Sequence, residues 1–211
     1  MADVFEYRGV EELVMAEVTG DNNETDGYKT GDVEPLAPVA EISKTVETSS
    51  ESKYYDNKPL FTTNGEGPDT ITITCAGLTL EKLAKITGRS IDKDTGALIE
   101  GPRKTRYFAI GYKTKDTDGK YRYVWRLKGT FNIPDDTVRT EDAGTETNNT
   151  TLTYTGIYTT HKFAKGVMND AGAWDPASAK AVVVSDREGL ADVTNFFKTV
   201  TTPDSLTKKT A

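Results

Sequence analysis

The residues of this chain that could do chemistry are few and badly spaced for it. There is one histidine and one cysteine in 211 residues. His161 sits in TTHKF, where a strand ends, and no GxSxG elbow or comparable nucleophile turn accompanies it. As a base it has no partner to activate, so a structural or interface role is expected. Cys75 closes the alternating run DTITITC on its apolar side, as a buried, inert thiol would. One His and one Cys far apart cannot make an ordinary zinc ligand set. DTDG at 116–119 and DKDTG at 92–96 look like fragments of calcium loops. Neither has a glutamate at the required offset, so both read as hairpin turns. Carboxylates are plentiful, but Glu41, Glu47 and Glu51 fall on the polar side and end of one strand, where solvation is the ordinary fate. No glycine-rich phosphate loop is present. The residues point to no catalytic group, metal or cofactor, and hence to a protein that is not an enzyme.

The elements around these residues say more. The most informative stretch is YRYVWRLKGTFN at 121–132. Read with the period of a strand, it has an aromatic side of Tyr121, Tyr123, Trp125, Leu127 and Phe131. Its other side carries Arg122, Val124, Arg126 and Lys128. Single-strand nucleic-acid platforms also combine rings and cations, but on one face. Here the two are opposed. The aromatic side is expected to be core, and the basic side needs an anion. The chain itself is acidic, with 33 acidic and 26 basic residues and a net charge of -7, which disfavours non-specific nucleic-acid binding. Its own glutamate-bearing strand surface is a ready counterpart, so Arg122, Arg126 and Lys128 are expected at contacts between copies.

Alternation recurs along the chain. Strands are expected at 10–19, 36–47, 69–75, 105–114, 121–132 and 150–160, with VVV at 182–184. Asp118–Gly119 turns one hairpin. A helix is expected over 79–87, capped by Thr79, ended by Gly88 and turned inward through Leu80, Leu83, Ala84 and Ile86. A second, short amphipathic helix fits 189–200. Segments 48–68 and 134–149 read as long polar loops, the first with Tyr54, Tyr55, Leu60 and Phe61 embedded in it. The fold class is therefore mainly β: a β-sandwich or partly closed barrel with one flanking helix, long loops and extended arms. One domain spans 1–211, with an N-terminal arm at 1–9, a core at 10–165 and a C-terminal segment at 166–211. No stretch resembles a membrane span or a secretion signal, so synthesis in a cytoplasm is expected.

Several stretches in this order carry a resemblance: GVEELVMAEVT, LAPVAEIS, CAGLTLEKLAKITG, RYFAIGYKTKDTDGKYRYVWRLKGTF, TGIYTTHKF and TNFFKTVTTP. The chain resembles the major tail proteins, or tail tube subunits, of long non-contractile-tailed phages (siphoviruses) and prophages of Gram-positive bacteria. That resemblance implies a structural virion protein of the tail, made in the host cytoplasm. Six copies would close into a ring, and stacked rings would form a hollow tube through which DNA is ejected. It implies as partners the chain itself, a tape measure protein, a tail tip or initiator protein and a tail terminator protein. On this reading Glu41, Ser43, Thr45 and Glu47, with Thr70, Thr72 and Thr74, are expected to face the lumen. Tyr54, Tyr55, Leu60 and Phe61 are expected to reach the adjacent ring, and Phe5, Tyr7, Phe196 and Phe197 to lie in arms. A type VI secretion-tube subunit is one rival. A monomeric carbohydrate- or protein-binding β-sandwich module is the other, using the aromatics of 48–68 as its platform.

Overall fold

The computed structural model describes residues 4–135 and 149–209. The charged part of the loop expected at 134–149 and the outermost residues of the N-terminal arm therefore lie outside the described residues. The chain is mainly β, with strands β1 (Tyr7–Asp21), β2 (Tyr28–Thr30), β3 (Glu34–Pro35), β4 (Val39–Tyr55) and β5 (Lys58–Cys75). Helix α1 (Leu80–Thr87) follows, then the small hairpin of β6 (Ser90–Ile91) and β7 (Leu98–Ile99). The remainder is β8 (Phe108–Asp116), β9 (Tyr121–Phe131), β10 (Thr150–Gly156), β11 (Phe163–Met168), β12 (Trp174–Ala177) and β13 (Ala181–Ser185).

Every strand pair is antiparallel, and the main sheet runs β2-β1-β8-β9-β10-β5-β4. It is not a closed barrel; its strands form the layers of a β-sandwich. The layering follows from β9, which forks. β8 pairs along most of one side of it. On the other side its first half, Arg122–Arg126, pairs with β13, while its end, Gly129–Phe131, pairs with β10.

Because of the fork, β1, β8 and β9 form a wall buried on both faces. The run FAIGY at the start of β8 is buried at every position. One face of the wall contributes Leu13, Met15, Phe108, Ile110, Tyr112 and Val124 to a first core, which Ile71, Ile73, Leu152 and Tyr154 complete from β5 and β10. The other face contributes Ala16, Ala109, Trp125 and Leu127 to a second core, closed by Phe163, Val182, Phe196 and Val200. Two-sided burial corrects the simple reading of β9. Val124, on the basic side, is buried. Phe131 leaves the aromatic side because β9 has one extra residue against β8 between Ile110↔Arg126 and Phe108↔Gly129. A bulge reverses side-chain parity beyond it, so Phe131 joins the first core, with its ring 5.2 Å from that of Tyr154.

Helix α1 has the expected limits. The Thr79 hydroxyl accepts from the Lys82 N–H at 3.3 Å, and Gly88 ends the helix in the left-handed conformation at φ 69°. A side chain at Gly88 would also collide with the Lys104 carbonyl. Ala84 and Ile86 face inward, but Leu80 is exposed. The second expected helix is not one. Residues 194–200 form successive turns, with Phe196 N–H to the Val193 carbonyl and Lys198 N–H to the Asn195 carbonyl. The Trp125 indole N–H donates to the Phe196 carbonyl at 2.7 Å, and both phenylalanines pack around Tyr123. The Phe196 carbonyl also accepts from the Thr201 hydroxyl at 3.0 Å, which ties the turns to β9 and to the chain that follows.

The largest departure lies at 48–68. This is not a loop but a continuation of β4 and β5 into a long hairpin, paired from Thr48↔Glu66 to Tyr55↔Lys58 with one bulge at Leu60. Asp56 and Asn57 turn it with φ 47° and 62°, the two left-handed residues of a type I′ turn. Residues 47–66 are exposed without exception.

Gly129 sits at the fork, where a Cβ would lie 2.4 Å from both the Thr155 carbonyl oxygen and the Tyr154 ring. Gly129→Ala should lose about 1–3 kcal/mol of stability by forced repacking. Gly101→Ala, with open space around it, should stay within about 0.5 kcal/mol of wild type in the same urea titration.

Candidate functional site: a hydroxyl-lined sheet face

The threonine alternation acquires a geometry in the sheet. Register places Glu41 beside Thr74 and Thr74 beside Thr151. Ser43 lies beside Thr72, which neighbours Thr153; Thr45 lies beside Thr70, which neighbours Thr155, and β9 adds Thr130 to that row. Directly paired residues share a face. Glu41, Ser43, Thr45, Thr70, Thr72 and Thr74 therefore stand together with four threonines from β9 and β10 on one polar face. The opposite face of the same strands carries Ile42, Ile71, Ile73, Leu152 and Tyr154 toward the first core. No cation belongs to these three rows. Glu47 is exposed beside them, opposite a bulge at Gly67–Pro68 whose glycine leaves room for its carboxylate. The hydroxyls of 151, 153 and 155 could not be placed from sequence. Their alternation was visible, but which strands flank β5 is a non-local fact.

Arg122 and Arg126 lie on the other face, while Lys128, past the β9 bulge, lies on the opposite side over the Tyr107 ring, and all three are largely answered within the protomer. Arg126 Nη1 is 3.3 Å from the buried Asp69 carboxylate, which also takes Lys180 at 3.1 Å and Lys44 at 3.6 Å. Arg126 is 11% exposed and Asp69 3%. Lys128 pairs with Asp21. Arg122 lies 3.9 Å over the Tyr7 ring. Asp21 is itself a hub, accepting the Thr160 and His161 N–H groups at 2.8 Å each. Burial pushes the Asp21 carboxyl upward, but the Lys128 hydrogen bond and the two backbone donors outweigh it and hold the group below the ordinary range.

The remaining candidates are structural within the chain. His161 contacts the Asn22 carbonyl through Nδ1 at 3.1 Å and meets the Phe163 ring edge-on. Cys75 is buried, and burial raises its thiol. Asp116 and Asp92 use their carboxylates to accept N–H groups of their own turns, Asp118 and Lys120 in one case and Asp94 in the other. Among the described residues no three His, Cys, Asp or Glu converge on a metal position, and no helix is long and apolar enough to cross a membrane. The residues expected in arms are packed on their own subunit. Phe5 stacks 3.6 Å from the Arg187 guanidinium, Tyr7 begins β1, and Phe196 is in the second core because Trp125 fixes its backbone. Tyr54, Tyr55, Leu60 and Phe61 gather at the exposed end of the β4–β5 hairpin, where the Tyr55 and Phe61 rings stack at 6.1 Å.

The described residues thus combine a polar sheet face whose three rows hold no cation with a long projecting hairpin. The sequence profile of the phage tail tube protein family matches residues 24–185, most of the chain. The chain belongs to the phage tail tube protein family. No curated protein matches it in sequence. Membership makes it a structural component of the virion tail, and the matched span includes the hydroxyl face, the hairpin and the greater part of the first core.

Two outcomes follow for the ion pairs. Asp69→Ala leaves Arg126 buried without a counter-ion and Lys180 with Glu66 alone, and should cost about 3–5 kcal/mol, measured by urea unfolding. For Asp21, a depressed folded-state pKa means stability that is full above the unfolded value of about 4 and lost as pH falls through the folded one. Asp21→Asn should therefore lower the urea midpoint at pH 7, and flatten its further decline between pH 5 and pH 3, both of which lie at about the carboxylate range.

Proposed function

We propose that this tail tube protein closes into hexameric rings that stack into a hollow tube, with the face of Glu41, Ser43, Thr45, Thr70, Thr72 and Thr74 turned to the lumen. The observation that carries the reading is the absence of any cation from those rows in a sheet that places cations elsewhere. Lysine and arginine neutralise DNA phosphates, release their condensed counterions to solution and so hold the DNA. A wall of hydroxyls with a carboxylate beside it gives passing DNA nothing to grip. Glu47 extends that wall toward the hairpin.

The free edge of β4 supports ring closure. Among the described residues β4 pairs only with β5, and an unpaired edge of this length is a template for another chain. Joining it to the next subunit would carry the sheet around the ring. Six copies per ring is the number that the resemblance implies. Of the basic stripe, Lys128 and one arm of Arg126 are engaged inside the protomer, so a contact between copies falls chiefly to Arg122. Tyr54, Tyr55, Leu60 and Phe61 would meet the adjacent ring. In a siphovirus-type tail, the tape measure protein would occupy the lumen during assembly, with initiator and terminator proteins at the two ends.

Electron microscopy of the purified chain, dilute and concentrated, should show hollow rings or tubes. Within assembled tails, the double substitution Ser43→Lys and Thr72→Lys should leave tube dimensions unchanged and slow DNA release, with recovery at high salt. Tubes that release DNA at the wild-type rate would remove this face from the lumen.

A further inference from the structure

On the wall face that carries the basic stripe, beside β4, is an open cleft of about 600 Å³. Its lining includes Lys44, Thr114, Arg122 and Arg126 over Tyr112 and Val124. Arg122 Nε, Arg126 Nε and Thr114 Oγ1 are buried there without a hydrogen-bond partner. Buried donors are normally satisfied, and each left open costs free energy. Asp69 does not answer them: it engages Nη1 of Arg126 and leaves Nε open. Two guanidinium N–H groups and a hydroxyl in one cleft match a carboxylate, which accepts several hydrogen bonds from such forks.

We propose that the cleft receives the β4–β5 hairpin tip of a second copy of this chain, with the Asp56 carboxylate bound by Arg122 and Arg126. The proposal rests on the stacked-ring reading and names the receptor for its hairpin. Three features select this occupant. Asp56 occupies the first position of the type I′ turn, at the very end of the hairpin. It is flanked by Tyr54, Tyr55, Leu60 and Phe61, each at least half exposed, and aromatic surface of that kind needs a partner. The charges are complementary, since the acidic residue of the turn would meet Lys44, Arg122 and Arg126 in the cleft lining.

Reach decides that the partner is another copy. Eleven residues separate Lys44 from Tyr55 in one continuous strand, or roughly 36 Å at strand rise. A tip held that far from its own cleft cannot enter it. A copy displaced by about that length can offer the identical cleft, and such a head-to-tail contact repeats without closing.

The test compares wild type with Asp56→Asn, which keeps the turn and removes the charge, by following tube formation through light scattering and electron microscopy. Loss of one charge-assisted contact should raise the critical concentration about ten-fold. Asp56→Arg should abolish elongation, and Asp56→Arg with Arg122→Glu should restore part of it. Circular dichroism of each variant checks that the fold is kept. A second measurement does not depend on affinity. Asp56→Cys with Val183→Cys, the latter an exposed residue of the cleft lining, should give a ladder of disulfide-linked chains in tubes. Buried Cys75 does not compete. Wild-type tubes with unaltered Asp56→Asn assembly and no ladder would overturn the cleft and leave the tube reading intact. A wild type that never polymerises, alone or with tail initiator, would overturn both.

Discussion

The rest of the structure depends on how Asp69 holds the fork in β9. Beyond that fork, β9 stops pairing with β13 and begins pairing with β10. Two sheets that share one strand must part there, and the parting exposes backbone and charge to a half-dry interior. Asp69 stands at the end of the β5–β10 ladder, opposite Gly156, with its side chain directed to three cations from separate elements. Lys44 brings β4, Arg126 brings β9 and Lys180 brings the segment leading into β13. Lys180 adds Glu66 and the Gly67 carbonyl, tying in the bulge. A buried ion cluster of this kind adds little stability over an apolar equivalent, and its removal is costly because the partners stay buried. What it contributes is position. It fixes the place of divergence, and with it which side chains fall in which core.

Much of the architecture was legible because it is local. The helix announced itself through Thr79 and Gly88, and the Asp118–Gly119 turn gave the hairpin that carries β8 and β9. The acidic turns at 92–96 and 116–119 serve their own backbones, as missing downstream ligands implied. The departures share a different cause. Phe131 changes sides because of one extra residue in β9, which no alternation rule can locate before the partner strand is known. Phe196 and Phe197 have helical spacing, yet the segment forms i→i+3 turns whose Phe196 carbonyl is tied to the distant Trp125 indole. The 48–68 segment looked like a loop because its residues are polar on both faces. A ribbon with nothing packed on either side has no hydrophobic signature, and Asp56–Asn57 is a quieter turn signal than Asn–Gly.

The candidate site shows the same division. That Glu41, Ser43 and Thr45 share a face with one another is a property of one strand. That they lie beside Thr70, Thr72 and Thr74, and these beside Thr151, Thr153 and Thr155, is a property of register. The basic stripe was visible from its spacing, while its partners, Asp69 and Asp21, sit 57 and 107 residues away in sequence. Opposite faces of one sheet thus receive opposite treatment: Lys44, Arg122 and Arg126 are gathered on the inner face, and the outer rows carry hydroxyls with the carboxylate of Glu41.

The bare ribbon at 47–66 has a consequence for timing. Ordering a residue costs about 1–2 kcal/mol of backbone entropy, and here no burial within the subunit offsets it. An isolated two-stranded hairpin in water is marginal at best. Within the subunit the projection is anchored at its root near Asp69, and at Asp56 no burial helps to order it. A growing end would supply the missing surface, so rigidity would arrive with attachment. Polymerisation would then be slow to begin and fast to continue, the partner lending stiffness to a ribbon that buries nothing of its own.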